Sequence, residues 1–294
     1  MRFVVVLALC SCSLVKLTAD STADVLAVAA PANNMENDVQ FAREAAPGQL
    51  KTVEGFLMAS PENRTMLTLL AQGYCEYAFA FLQNDYEELA MAGKTEEAAP
   101  IAARATNLFQ RCANYGFKLL GGTWQKTFYG DSEAFEKRVK STDGDDVPGM
   151  FWVAMGVTSA IDLNRDDIEM VAYLPKAQRL FQRVLELDEA YYLGGAHIAL
   201  GMILTAQGPA MGGDPEKGRK HFERAVELTS GKYLMPKVLM ALAYGGITQN
   251  RELFHTELEK VLQTSPAIWP EERLPNELAH LRAKRYLAHE KEWF

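Results

Sequence analysis

A phrase that recurs inside helical periodicity constrains this chain more than any other feature. Leu108-Phe109-Gln110-Arg111, Leu180-Phe181-Gln182-Arg183 and His221-Phe222-Glu223-Arg224 are near copies. The second and third continue in step, as Val184-Leu185-Glu186-Leu187 and Ala225-Val226-Glu227-Leu228, and lie 41 residues apart. A period of that size signals an array of helical hairpins, each burying its apolar face by stacking on the next. Arrays of this kind bind partners or ligands, which shifts the expectation away from catalysis.

The partner helices follow from the tetratricopeptide pattern, W-x2-L-G-x2-Y in the first helix and A-x3-F with a small residue in the second. Trp152-x2-Met155-Gly156-x2-Ser159 fits the first half. His197-x2-Leu200-Gly201-x2-Leu204, Lys237-x2-Met240-Ala241-x2-Tyr244 and Leu67-x2-Leu70-Ala71-x2-Tyr74 are weaker versions. Second-helix patterns stand at Ala105-x3-Phe109 with Cys112, Ala177-x3-Phe181 with Val184, Gly218-x3-Phe222 with Ala225, and loosely Phe254-x3-Leu258 with Val261. The small residue permits close helix approach and the Phe fills the space between neighbours. The reading is an all-α solenoid of about four degenerate hairpins, with irregular spacing because residues 83–103 and 208–213 add length.

Helices are expected over 37–57 (bent at Pro47-Gly48), 66–83 behind a Ser60-Pro61 cap, and 94–120 up to Gly121-Gly122. A loop at 142–149 precedes helices over 150–163, 168–187, 191–207, 214–229, 234–248 and 251–264. A last helix, 274–288, is polar on one face (Glu277, Arg282, Arg285) and would cap the stack.

The N-terminus reads differently. Met1-Arg2 is a minimal positive region, Phe3 to Leu9 is unbroken apolar sequence, and Cys10-Ser11-Cys12 follows. This is the outline of a secretory signal ending in a lipobox, and Cys12 suits it better than Cys10 because the preceding Ser11 is small. The division is then 1–12 signal peptide, 13–38 flexible tether and 39–294 helical domain, lipid-anchored to a bacterial envelope membrane outside the cytoplasm. Cys75 and Cys112 read as two small buried residues at helix contacts, though an oxidising compartment permits a disulfide. A net charge of -8 argues against nucleic acid, whose binders need a basic face.

Chemistry-bearing motifs fail one by one. Gly213-x4-Gly218-Arg219-Lys220 lacks the lysine–hydroxyl order of a phosphate loop, and Asp214-Pro215 reads better as a helix cap. Asp162-x-Asn164-x-Asp166 opens like a calcium loop, but its twelfth position is Tyr173. Histidines 197, 221, 255, 280 and 289 stand in no metal-ligand spacing, and no nucleophile elbow exists. No catalytic residue, metal or cofactor is expected, although His197 or His221 would serve an enzyme if one faced a cavity beside a carboxylate.

What remains is an apolar and aromatic load: Trp124, Phe151, Trp152, Met202, Met211 and Tyr244. Phe151 and Trp152 are adjacent and point about 100° apart on a helix, so one of them is expected to line a groove.

With these residues in hand, the chain resembles the T component associated with tripartite ATP-independent periplasmic (TRAP) transporters. The resemblance covers about Ala45 to the C-terminus. It rests on Ser60-Pro61-Glu62-Asn63, Phe151-Trp152 to Gly156, Leu174-Pro175 before Leu180 to Asp188, Gly195-Ala196-His197, and Pro209 with Gly212-Gly213-Asp214. The insertion at 94–103 departs from it. The resemblance implies a periplasmic lipoprotein that pairs with the solute-binding subunit and offers a passage for a hydrophobic small ligand; a homo-oligomer is compatible with it. Trp124, Phe151, Trp152, His197, Met202, Met211, Gly212, Gly213, Asp214 and Tyr244 would form the ligand or partner surface. The alternative is a tetratricopeptide lipoprotein that scaffolds envelope assembly.

Overall fold

The computed structural model describes residues 2–294 apart from Pro209 and Met211, and side chains from Leu14 onward. The expected lipidation at Cys12 and the surface role of Met211 lie outside the described residues. Every regular element described is helical.

Helix α1 runs Arg2–Ala29 and a short α2 covers Pro31–Asn34. The expected flexible tether is therefore helical over most of its length. Alanine is the strongest helix former and lets a helix lie close to its neighbours. Ala19 and Ala23 are buried against α3 (Val39–Ala59) and α4 (Arg64–Tyr77), and Asn63 Nδ2 donates to Asp20 at 2.7 Å. Helix α3 continues through Pro47 rather than stopping there. Helix α4 is capped by Asn63, whose side chain accepts from Met66 N, and not by Ser60. A π-turn at Ala78–Gln83 carries α4 into α5 (Asn84–Met91).

Beyond it come α6 (Thr95–Leu120), α7 (Trp124–Tyr129), α8 (Ser132–Lys140) and α9 (Val147–Asp162). The expected loop before α9 contains a single 3-10 turn, Gly144–Asp146. A short α10 (Ile168–Val171) precedes α11 (Leu174–Leu187), restarted by Pro175 in its first turn. Then follow α12 (Tyr191–Ala206), α13 (Pro215–Leu228), α14 (Met235–Met240), α15 (Arg251–Gln263), α16 (Arg273–Ala288) and α17 (Glu290–Trp293).

Packing follows chain order: α4 on α6, α6 on α9, α9 on α11, α11 on α12, α12 on α13, α15 on α16. The repeated phenylalanines Phe109, Phe181, Phe222 and Phe254 are all fully buried at these contacts. Small residues set the closeness. A Cβ on Gly156 would stand 2.4 Å from Phe109 O on α6, and one on Gly218 would stand 2.3 Å from Thr205 Oγ1 on α12. Cys75 and Cys112 form a disulfide that ties α4 to α6, with Cα atoms 5.4 Å apart, instead of two free thiols. Close helix approach at the small position of the repeat brings the two backbones within bridging range.

The C-terminal helix returns to the start of the chain. Two residues of the polar face of α16, Arg282 and Arg285, turn inward. Arg282 is 2% exposed, its guanidinium stacks 4.1 Å over Phe79, and it donates to Phe79 O at 3.0 Å. Arg285 and the Tyr286 hydroxyl both reach Glu87 on α5, at 2.6 and 2.9 Å. Asn34 donates to Glu272 just before α16. The two ends of the helical array therefore close on each other.

Candidate functional site

Between the two ends lies a partly open cavity of about 830 Å³, within the roughly 300–1,000 Å³ of small-molecule sites. Helices α1 and α3 supply Leu26, Leu50 and Val53 to its wall, and the α4 π-turn region supplies Tyr77, Phe79 and Phe81. Met235 and Leu278 close it from the C-terminal half. The π-turn adds a residue to the helical ladder where the phenylalanines re-aim, a distortion common at functional sites.

A polar group interrupts the apolar wall. Glu76 accepts from Tyr192 Oη at 2.6 Å and from Gln72 Nε2 at 2.8 Å, both on the same carboxylate oxygen. Glu76 keeps accessible surface, but that surface is cavity wall. Desolvation raises its carboxyl pKa. The same cause, reinforced by the nearby Glu76, brings Glu272 up to about 7. Neither carboxylate pairs with a cation among the described residues.

Tyr192 reaches Glu76 by an uncommon route. Tyr192, Leu193 and Gly194 have φ of 49°, 58° and 71°, a left-handed run at the start of α12. Such conformations cost non-glycine residues about 1–2 kcal/mol each, and persist where the surroundings hold them in place. Here the hold is aromatic. The Tyr192 ring lies 4.7 Å from Trp152 and 5.3 Å from Phe151, centroid to centroid. Burial and Glu76 push the Tyr192 hydroxyl far above its ordinary pKa, so it stays a proton donor.

Phe151 and Trp152 thus stand one layer behind the cavity rather than in it. Both are buried, at 0% and 1% exposure, and touch each other with centroids 4.8 Å apart. Two adjacent side chains share one core here because α9 is apolar all round and enclosed on every side. Trp124 is buried beneath Arg138, and Met202 packs into the C-terminal core. Gly212 has φ +85°, Gly213 sits against Gln207 O, and Asp214 caps α13 by accepting from Lys217 N at 3.1 Å; together they shape the turn into α13. Tyr244 donates to Glu216. None of the described residues of this set lines the cavity.

His197 does have its carboxylate, but away from the cavity. His197 Nδ1 meets His221 Nδ1 at 2.7 Å and His197 Nε2 meets Glu189 at 3.0 Å. Arg224 grips the same Glu189 through two nitrogens, at 2.9 and 2.8 Å. Arg224 first and His197 second hold the Glu189 carboxyl down to about 2. Desolvation depresses His197 and brings His221 down to about 4. Every charge in this cluster is matched. No group of metal-ligating side chains occurs among the described residues.

Sequence reasoning missed Glu76, Tyr192, Tyr233 and Glu272. One signal was available: Glu76 is an acid inside an otherwise apolar helical run, beside Gly73, where a Cβ would meet Leu50 at 2.6 Å.

Among the described residues this is an all-α protein whose two ends meet around an apolar pocket, with no helix long and apolar enough to cross a membrane. The TRAP transporter T-component family matches residues 35–294, and the chain belongs to that family. An uncharacterized protein of Treponema pallidum (strain Nichols) is 25% identical over 263 residues, covering 88% of this chain and 81% of the other. Membership gives the chain a TRAP-associated accessory role in transport.

Proposed function

We propose that this protein is a membrane-tethered periplasmic accessory subunit that binds the solute receptor of a TRAP transporter and offers its cavity to an apolar ligand. The cavity carries this reading: its wall is predominantly apolar, and both ends of the array are needed to build it. Each methylene buried there contributes about 0.8 kcal/mol, ample for micromolar capture of a medium-length chain. Lipidation at Cys12 would provide the tether. The outward face of α1 supports a position beside a membrane, since Leu14, Leu17, Val25 and Val28 are all exposed.

The test is capture of the full chain with its bound partners from its own envelope, followed by mass spectrometry. Recovery of a periplasmic solute-binding protein is the expected result. Recovery of envelope assembly factors alone would favour the scaffold reading instead. Cys12→Ser is expected to release the protein from membranes, and a variant that still sediments with them would exclude the lipid anchor.

A further inference from the structure

The chemistry of the cavity is asymmetric in a way that apolar capture does not need. Among the described residues of its wall, the charged side chains are Glu36 and Glu76; no Lys, Arg or His is present. Both donors to Glu76, Tyr192 and Gln72, land on Oε1, so Oε2 has no partner among the described residues. The Tyr233 hydroxyl, also in the wall and deeply enclosed by protein, likewise finds no hydrogen-bond partner among the described residues. Glu272 is raised in part by the nearby Glu76 and receives only the neutral Asn34 amide.

Buried acids normally take a cation or pay for desolvation. Elsewhere among the described residues the enclosed acids Glu87 and Glu290 are paired, with Arg285 and Arg251. At the cavity no pairing cation stands among the described residues, while two unengaged oxygen atoms, one on Glu76 and one on Tyr233, belong to the wall. A ligand bearing N–H donors and a positive charge supplies what they lack. A carboxylate-headed ligand would meet like charge.

The geometry points to a cationic amphiphile as the ligand class: an aliphatic chain seated among Leu26, Leu50, Val53 and Leu278, and an ammonium head donating to Glu76 Oε2 and the Tyr233 hydroxyl oxygen. This assignment rests on the reading of the cavity as an apolar ligand site and specifies its polar end. Tyr192 is a positioning residue, since it fixes Glu76 and leaves the second oxygen free.

The experiment is isothermal titration of the full chain, made with Cys12→Ser so that no attached acyl chain competes, against dodecylammonium, dodecanol and dodecanoate below their aggregation concentrations. Dodecylammonium is expected to bind about tenfold or more tightly than dodecanol, as a charge-assisted hydrogen bond requires. Glu76→Gln, a neutral isostere, should erase that preference and keep dodecanol binding, while Tyr233→Phe should reduce it by a few fold. Equal binding of the amine and the alcohol, or preference for dodecanoate, would overturn the head-group assignment and leave the apolar cavity standing. If no probe binds, or if Ala45→Trp, which fills the cavity from α3, changes nothing, the cavity reading fails and the head-group assignment fails with it.

Discussion

Two polar clusters in this protein, built from similar residue types, differ in one respect. Around α12 and α13, Glu189 is gripped by Arg224 and His197, and His197 in turn meets His221, so the charges close on one another. Around the cavity, Glu76 and Glu272 lie with tyrosines and amides and no cation among the described residues. A closed network stabilises the stack at that joint. An open network beside a cavity stabilises nothing by itself, and its cost is what the proposed ligand would offset.

The largest effect that probes this contrast comes from behind the open cluster. Trp152→Ala removes the ring on which Tyr192 leans and opens a large void in α9. A loss of about 3–5 kcal/mol is expected, measured by denaturant unfolding, together with loss of ligand binding. If the variant keeps its stability, the aromatic hold on the left-handed run is not what positions Tyr192.

Next in size is the disulfide. Cys75 immediately precedes Glu76, so the bridge to Cys112 pins the acid's helix to α6. Reduction, or Cys75→Ser with Cys112→Ser, should cost about 3–4 kcal/mol from release of the intervening loop. Mobility-shift analysis with a thiol-reactive reagent on unreduced protein checks the bridge directly. Two free thiols in protein taken from the envelope would remove it.

The closed cluster should respond more weakly. Glu189→Gln strips both Arg224 and His197 of their shared carboxylate. Because Glu189 and Arg224 are both some 40% exposed, at 41% and 43%, solvent screens them, and a loss of about 1 kcal/mol is expected. Thermal unfolding at low and high salt measures it, and the deficit should shrink as salt rises.

How much of this could be read from the chain depends on the residue. The repeat phrases located the phenylalanines that fill helix contacts, because burial at fixed spacing leaves a periodic trace. The Asp214 cap and the stop at Gly121 were legible for the same local reason. The cavity was not. Its wall comes from Leu26, Val53, Glu76, Tyr192, Tyr233 and Leu278, which meet only when α16 folds back onto α3 and α5. No local pattern records that return, because the acid that Arg282 and Arg285 serve, Glu87, is about two hundred residues earlier. The alanine-rich stretch misled in the opposite sense, since small residues that suit a tether also suit a closely packed helix. Phe151 and Trp152 pack behind Tyr192 and do not reach the wall, a placement that their adjacency in sequence does not reveal.

The smallest effect separates the clusters by sign of pH dependence. His221 is held at about 4 in the folded chain, below its ordinary 6.5, so the folded state resists the proton that the unfolded chain accepts. Its contribution is fully present above about 6.5 and is lost as pH falls toward 4. Glu272 runs the other way. Its folded value near 7 exceeds the ordinary 4.5, so the folded state holds a proton that the unfolded chain has released. That contribution is complete below about 4.5 and is lost as pH rises through 7. Melting temperatures from pH 4 to 8 should therefore show His221→Gln gaining on the parent chain as pH falls below about 6.5, and Glu272→Gln gaining as pH rises above about 4.5, in full by about 7. Each gain is on the order of 1 kcal/mol, less than a full shift because both groups keep some accessible surface. A Glu272→Gln chain that gains nothing at pH 8 would mean that the carboxylate already has a cation beside it. An added alkylammonium should produce the same flattening in the parent chain, since a bound positive charge removes the reason for Glu272 to hold its proton.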